Sequence, residues 1–165
     1  MINPPLKFTD EESHLAFTKW GANCGPHALA ASCGFTLDRA RELLIGFDLK
    51  RYTNPTMMEN GFNLAGIHWE RRRGLVLRDN FAIPPHLATV CRVQWEGRWL
   101  NPGVPKMVAY RHTHWIAYFQ GVVFCTIVPV FGWVDFKLWA DFMGRWTKSQ
   151  AYDGWHITHT YALSK

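Results

Sequence analysis

An α+β fold, with N-terminal helices packed against a C-terminal antiparallel β-sheet, is predicted by three observations. Up to Pro84, apolar residues recur at helical spacing; beyond it, β-branched and aromatic residues form runs; and Pro84-Pro85 and Asn101-Pro102-Gly103-Val104-Pro105 break the chain strongly. At 165 residues and 48% hydrophobic content, the chain suffices for one buried core and is too short for two independent ones. A single domain over 1–165 is therefore expected, helical over about 1–83 and sheet-forming over about 84–165.

The helical half reads as three short helices: Ala28, Leu29 and Ala31 to Cys33; then Leu37, Ala40, Leu43 and Leu44; then Met57, Met58, Phe62, Leu64 and Ala65. The sheet half shows strand-like runs at Thr89 to Trp95, Met107 to Phe119 and Val122 to Val130, with tight turns at Glu96-Gly97 and Gln120-Gly121. A last helix is expected from about Asp135 to Trp146, with Phe136, Leu138, Trp139, Phe142 and Met143 inward. Asp153-Gly154 then turns into a closing strand, Trp155 to Leu163.

Several function classes are disfavoured by composition. The net charge is +5, but it is spread thinly apart from Glu70-Arg71-Arg72-Arg73 and Arg78, which read as a solvated face. No helix-turn-helix or RNP-like pattern accompanies it, so no nucleic-acid partner is expected. Met1 to Lys19 carries Lys7, Asp10, Glu11 and Glu12 rather than the apolar run of a signal peptide, and no segment offers ~18 uninterrupted apolar residues. A soluble cytoplasmic protein without a membrane partner is expected. No cofactor is expected either, since glycine-rich dinucleotide and Walker patterns are missing. The nine tryptophans suit a small core and a cleft lining better than base stacking.

The most informative stretch is Trp20-Gly21-Ala22-Asn23-Cys24-Gly25-Pro26-His27-Ala28-Leu29-Ala30-Ala31. Proline is tolerated in a first helical turn and alanine propagates a helix, so Cys24 stands at a helix N-terminus. Unpaired amides and the helix dipole there are expected to lower the thiol pKa and to receive an oxyanion. Cys33, Cys91 and Cys125 lie in or beside apolar runs and read as small buried hydrophobes. No CxxC spacing suggests a zinc ribbon.

A cysteine nucleophile needs a base. Ala109-Tyr110-Arg111-His112-Thr113-His114-Trp115-Ile116-Ala117-Tyr118 places two histidines at i and i+2 of an expected strand, where both face one way. That pair is also a metal arrangement, for which His156 and His159 are the further candidates. No carboxylate at ligand spacing accompanies them, and no metal is expected.

Asn23-Cys24-Gly25-Pro26 opening a helix, and His114-Trp115 opening an apolar strand later in the chain, resemble the papain-like cysteine peptidase superfamily. The likeness is to its small bacterial and phage members, including peptidases that process bacteriocin leaders. The resemblance implies a cleft between helices and sheet, a protein or peptide substrate, and the cytoplasm of a bacterium or infected host cell. Cys24 then corresponds to the nucleophile and His114 to the general base, with His112 as the alternative. Two features depart from the family pattern. No glutamine precedes Cys24, leaving Thr18, Trp20 or Asn23 to supply an oxyanion donor beside the Cys24 amide. The stretch opposite His114, Phe124-Cys125-Thr126-Ile127, holds no carboxylate or amide to orient the imidazole, and Asp135 is the next acidic residue. Two readings follow: a cysteine hydrolase of amide or isopeptide bonds, or an acyltransferase built on the same machinery, against a papain-like fold that has lost catalysis and binds a protein.

Overall fold

Thr9 and Glu12 start the first helix. The Thr9 side chain accepts from the Glu12 amide while the Glu12 carboxylate accepts from the Thr9 amide at 2.7 Å, a reciprocal cap that opens α1 (Asp10–Trp20). The computed structural model describes residues 4–72 and 88–164. Four more helices follow: α2 (Cys24–Cys33), α3 (Leu37–Leu43), α4 (Phe47–Lys50) and α5 (Pro55–Leu64). Asparagine and proline start α5, with Asn54 Oδ1 accepting from the Met57 amide. Five helices thus stand where apolar spacing indicated three. The largely exposed α1, with only Ala16 and Trp20 buried, has too narrow an apolar stripe to register as a period.

Six strands form one antiparallel sheet: β1 (His68–Arg72), β2 (Ala88–Glu96), β3 (Thr113–Phe119), β4 (Val122–Phe124), β5 (Trp133–Asp135) and β6 (Gly154–Ser164), in the order β1-β6-β2-β3-β4-β5. The α+β class and the arrangement of N-terminal helices against antiparallel strands hold. β1 corrects the expected division, because a strand lies within the helical half and pairs with β6. Its charges make it a sheet edge, with Glu70 and Arg72 paired across 3.1 Å. Arg73, Arg78 and Pro84-Pro85 lie outside the described residues.

Two strand expectations need correction as well. Met107 to Tyr110 belongs to a short helix, α6 (Lys106–Tyr110), started after Pro105. The run from Val122 to Val130 pairs only as far as Phe124, before turns lead to β5. The hairpin itself forms as expected, with Gln120 and Gly121 both at positive φ (46° and 87°), the geometry of a two-residue type I′ turn. The closing strand also forms, and Asp153 bonds through its amide to the Glu96 carbonyl at 2.9 Å.

The final helix, α7 (Phe136–Ser149), buries Trp139, Met143 and Thr147, but Leu138 is 63% exposed and does not face inward. Helices α1 to α5 cover one face of the sheet, on Val90, Trp115, Ala117, Phe124 and Tyr161. Helix α7 covers the other, on Cys91, Val93, Trp95, Ile116 and Val123. Both faces of the central strands are therefore dry, which explains their runs of apolar residues. No described helix is long and apolar enough to cross a membrane.

Candidate active site

Cys24 is the first residue of α2, whose first turn also holds Pro26. Asn23 precedes it at the cap position without a side-chain capping bond. Gly25 lets the helix start lie directly against Thr53, since a Cβ there would collide with the Thr53 side chain. Thr53 is held in turn by the Trp115 indole, whose Nε1 donates to its carbonyl at 2.9 Å. The start of α2 is thereby clamped onto β3.

The Cys24 sulfur meets the backbone amides of Trp115, Gly25 and Cys24, all of which favour a thiolate. Burial outweighs them, and with a smaller contribution from Cys125 pushes the thiol up to about 11. This corrects the expectation of a lowered pKa. A helix terminus stabilises an anion by about 0.3–1 kcal/mol in exposed settings, and at the half-buried Cys24 desolvation outweighs it.

His114 is 6% exposed and lies opposite Val93 in the β2–β3 ladder, on the face that bears Ile116 and Tyr118. Its ring stacks on Trp95 with centroids 5.9 Å apart, and Nε2 lies 3.4 Å from Cys125 Sγ. Burial, and secondarily His27, push the imidazole down to about 3. β3 pairs with β4 only from Ala117 to Phe119, so its first residues leave an open sheet edge. At that edge a cavity of about 470 Å³ is lined by both Cys24 and His114, together with Asn23, Ser13 and Thr126. Among the described residues, no hydrogen bond joins the Cys24 thiol to the imidazole. The resting pair is a neutral thiol and a neutral imidazole in one cavity.

The other candidates separate. Asp135 caps α7, its Oδ1 accepting from the amides of Lys137 and Leu138 at 2.9 and 3.2 Å, and lies outside the cavity. Thr18 Oγ1 donates to the His14 carbonyl within α1 at 3.1 Å. Trp20 packs into the core against Phe47, under the Arg41 guanidinium. Neither Thr18 nor Trp20 lines the cavity that holds Cys24. Asn23, 5% exposed, does line it, and its carboxamide has no hydrogen-bond partner among the described residues. His112 stands one residue before β3, stacked on Trp99 at 3.7 Å and edge-on to Tyr152, and does not line the cavity that holds Cys24. His156 Nδ1 pairs with Glu96 at 3.0 Å. Among the described residues, no group of three or more His, Cys, Asp and Glu side chains is placed to hold a metal, so His112, His114, His156 and His159 do not assemble a site.

Two further residues at the site escape the sequence reading. Cys125, read as a buried hydrophobe, contacts His114. His27, fully buried at the second turn of α2, has a fixed tautomer: Nδ1–H donates to the Asn23 carbonyl at 2.8 Å, so Nε2 accepts from the Ser13 hydroxyl at 2.9 Å. The motif Cys24-Gly25-Pro26-His27 displays His27 plainly, but nothing in it names Ser13 as the partner.

Burial holds His27 down at about 4 and His114 at about 3, both against an ordinary 6.5. Unfolding frees both to bind protons between those values and 6.5, so stability rises with pH across that window. Their contribution is complete above about pH 6.5 and is lost as pH falls through 4 toward 3. The expected loss is of order 1 kcal/mol per pH unit for each histidine below about pH 6, with His159 acting in the same sense. Urea midpoints at about pH 5 and about pH 7 measure it. Equal midpoints would mean that both rings protonate freely in the folded chain.

No family model, curated protein or solved structure matches the chain.

Proposed function

We propose that the chain is a cysteine hydrolase of papain-like type that cleaves an amide or isopeptide bond of a protein or peptide. The observation that carries this reading is the shared cavity of Cys24 and His114, with Nε2 of the imidazole occupied by Cys125. In the productive tautomer Nε2–H donates to Cys125 Sγ, and Nδ1 keeps a lone pair for the Cys24 proton. Cys125 suits the accepting role, because its sulfur already attracts the amides of Ile127 and Val128 and the Trp139 indole. The Trp139 N–H lies near that sulfur without completing a well-directed hydrogen bond.

Because thiol and imidazole rest neutral, the proton moves during attack: Nδ1 takes it as Sγ bonds to the carbonyl carbon. The oxyanion is received by the Cys24 amide and the Asn23 carboxamide. The imidazolium returns the proton to the leaving amine, and water then releases the acyl group from sulfur. If an amine takes the place of that water, the same residues perform acyl transfer.

A second reading, a protein-binding fold without turnover, is favoured by the raised Cys24 thiol and by the lack of a hydrogen bond between Cys24 and His114 among the described residues. Covalent labelling separates the two. A peptidyl acyloxymethyl ketone, which occupies the cleft and recruits the base, is expected to modify Cys24 near neutral pH in a His114-dependent manner. Iodoacetamide, which needs a free thiolate, is expected to react slowly there and faster as pH rises toward the Cys24 value of about 11. Peptide mapping that finds the ketone on Cys33 as often as on Cys24, or labelling indifferent to His114→Ala, would favour the binding fold.

A further inference from the structure

Helix α1 forms one wall of the Cys24 cavity, presenting Asp10, Ser13, His14 and Phe17 at the i, i+3, i+4 and i+7 spacing of a single helical face. A second hollow of about 510 Å³ shares Asp10 and His14 with it and adds Glu11. The chain as a whole carries 18 Lys and Arg against 13 Asp and Glu, yet the two hollows are lined by Asp10 and Glu11 and by no lysine or arginine among the described residues. The wall therefore has the opposite sign to the molecule.

The hydrogen-bonding character of the wall points the same way. The Ser13 proton is committed to His27 Nε2, because the other ring nitrogen already donates to the Asn23 carbonyl. Ser13 Oγ can thus only accept from a ligand, as can the ionised Asp10 carboxylate. Independently of these acids, the Asn23 carboxamide, 5% exposed and without a partner among the described residues, borders the same cavity. Its polar atoms are not sealed off, so a ligand in the cavity can engage them. The amide N–H groups of Cys24 and Asn23 supply donors at one end of the cavity, while Asp10 and Ser13 supply acceptors along its wall.

We propose that the cleft selects a substrate with a Lys or Arg side chain adjacent to the scissile bond, its cationic group seated against Asp10 and accepted by Ser13 Oγ. The identity of the cleaved bond rests on the hydrolase reading above; the charge preference does not. Ammonium and guanidinium groups have only donors to offer, which the Asp10 carboxylate and the Ser13 oxygen can accept, whereas a Glu or Asp side chain there would face like charge at Asp10.

The test uses Cys24→Ala, so that binding is read without turnover. Fluorescence anisotropy is measured with three labelled peptides that differ at one central position, Lys, norleucine or Glu. The Lys peptide is expected to bind at least about tenfold tighter than the Glu peptide, with norleucine between them, and to weaken as salt is raised. Asp10→Lys, an exposed substitution at the first residue of α1, is expected to reverse the order. Equal binding of the three peptides, or a preference untouched by Asp10→Lys, overturns the proposal. The two readings fail separately: a charge preference without ketone labelling of Cys24 leaves this inference standing and removes the hydrolase, and labelling without a charge preference does the reverse.

Discussion

On the hydrolase proposal, replacing His114 with alanine is expected to lower the rate at which a peptidyl acyloxymethyl ketone alkylates Cys24, or an amide substrate acylates it, by about a hundred- to ten-thousandfold, the usual contribution of a positioned base. The effect is expected in full because the alternatives are poor. The Cys24 thiol, held near 11, is not ionised on its own near neutral pH, and His27 is already engaged with Ser13 and Asn23. Cys125 adds a diagnostic pair to this experiment. Cys125→Ala removes the group at Nε2 and is expected to slow acylation about tenfold, by releasing the ring from one tautomer and orientation. Cys125→Asn offers a carboxamide oxygen in the same place, a stronger acceptor than sulfur, and is expected to restore or exceed the parent rate. Wild-type rates in His114→Ala would remove the base from the mechanism. Identical loss in both Cys125 variants would show that Cys125 serves packing rather than orientation.

Gly25→Ala is expected to be the most damaging small substitution near the site. Its Cβ would overlap Thr53, whose carbonyl anchors Trp115, so the helix start or the Thr53 segment must shift. Overpacking of this kind costs about 1–3 kcal/mol, read as a lower urea midpoint at unchanged slope. The same shift carries Cys24 away from the Trp115 amide, so ketone labelling falls along with stability. Thr53→Gly removes the colliding atoms and is expected to recover a substantial part of both losses in the double variant, a positive coupling between the two positions. A Gly25→Ala protein that matches the parent in midpoint and labelling would mean that helix and strand are not clamped there.

The legible parts of the molecule were those carried by local chemistry. Proline and alanine after Cys24 announce α2, Gln120-Gly121 announces the hairpin, and the aromatic periodicity of residues 136–143 announces α7. The hidden parts depend on partners distant in sequence. β1 is a charged, exposed edge whose strand character comes from pairing with β6, which no local pattern reveals. Leu138 follows the helical stripe yet faces outward, because only part of that stripe meets the sheet. At the site, position alone made Cys24 a candidate, and strand onset did the same for His114. The approach of Cys125 Sγ to His114 Nε2 needed the turn after β4, and the raised thiol pKa needed the burial that only packing supplies. Asp135, attractive as the next carboxylate, was already committed to the helix it begins.

The placement of β6 has a consequence for how the molecule is made. The sixth strand in chain order sits between β1 and β2, so neither of those earlier strands can complete its pairing before β6 is available. Pairings of such long sequence separation form slowly, since a large loop must close before any contact rewards it. A nascent chain halted before residue 154 would hold its helices with one side of β2 unpaired, a state open to association with other strands. Completion of the sheet therefore waits for β6, and refolding rates should fall more steeply for variants in β6 than for variants in α2.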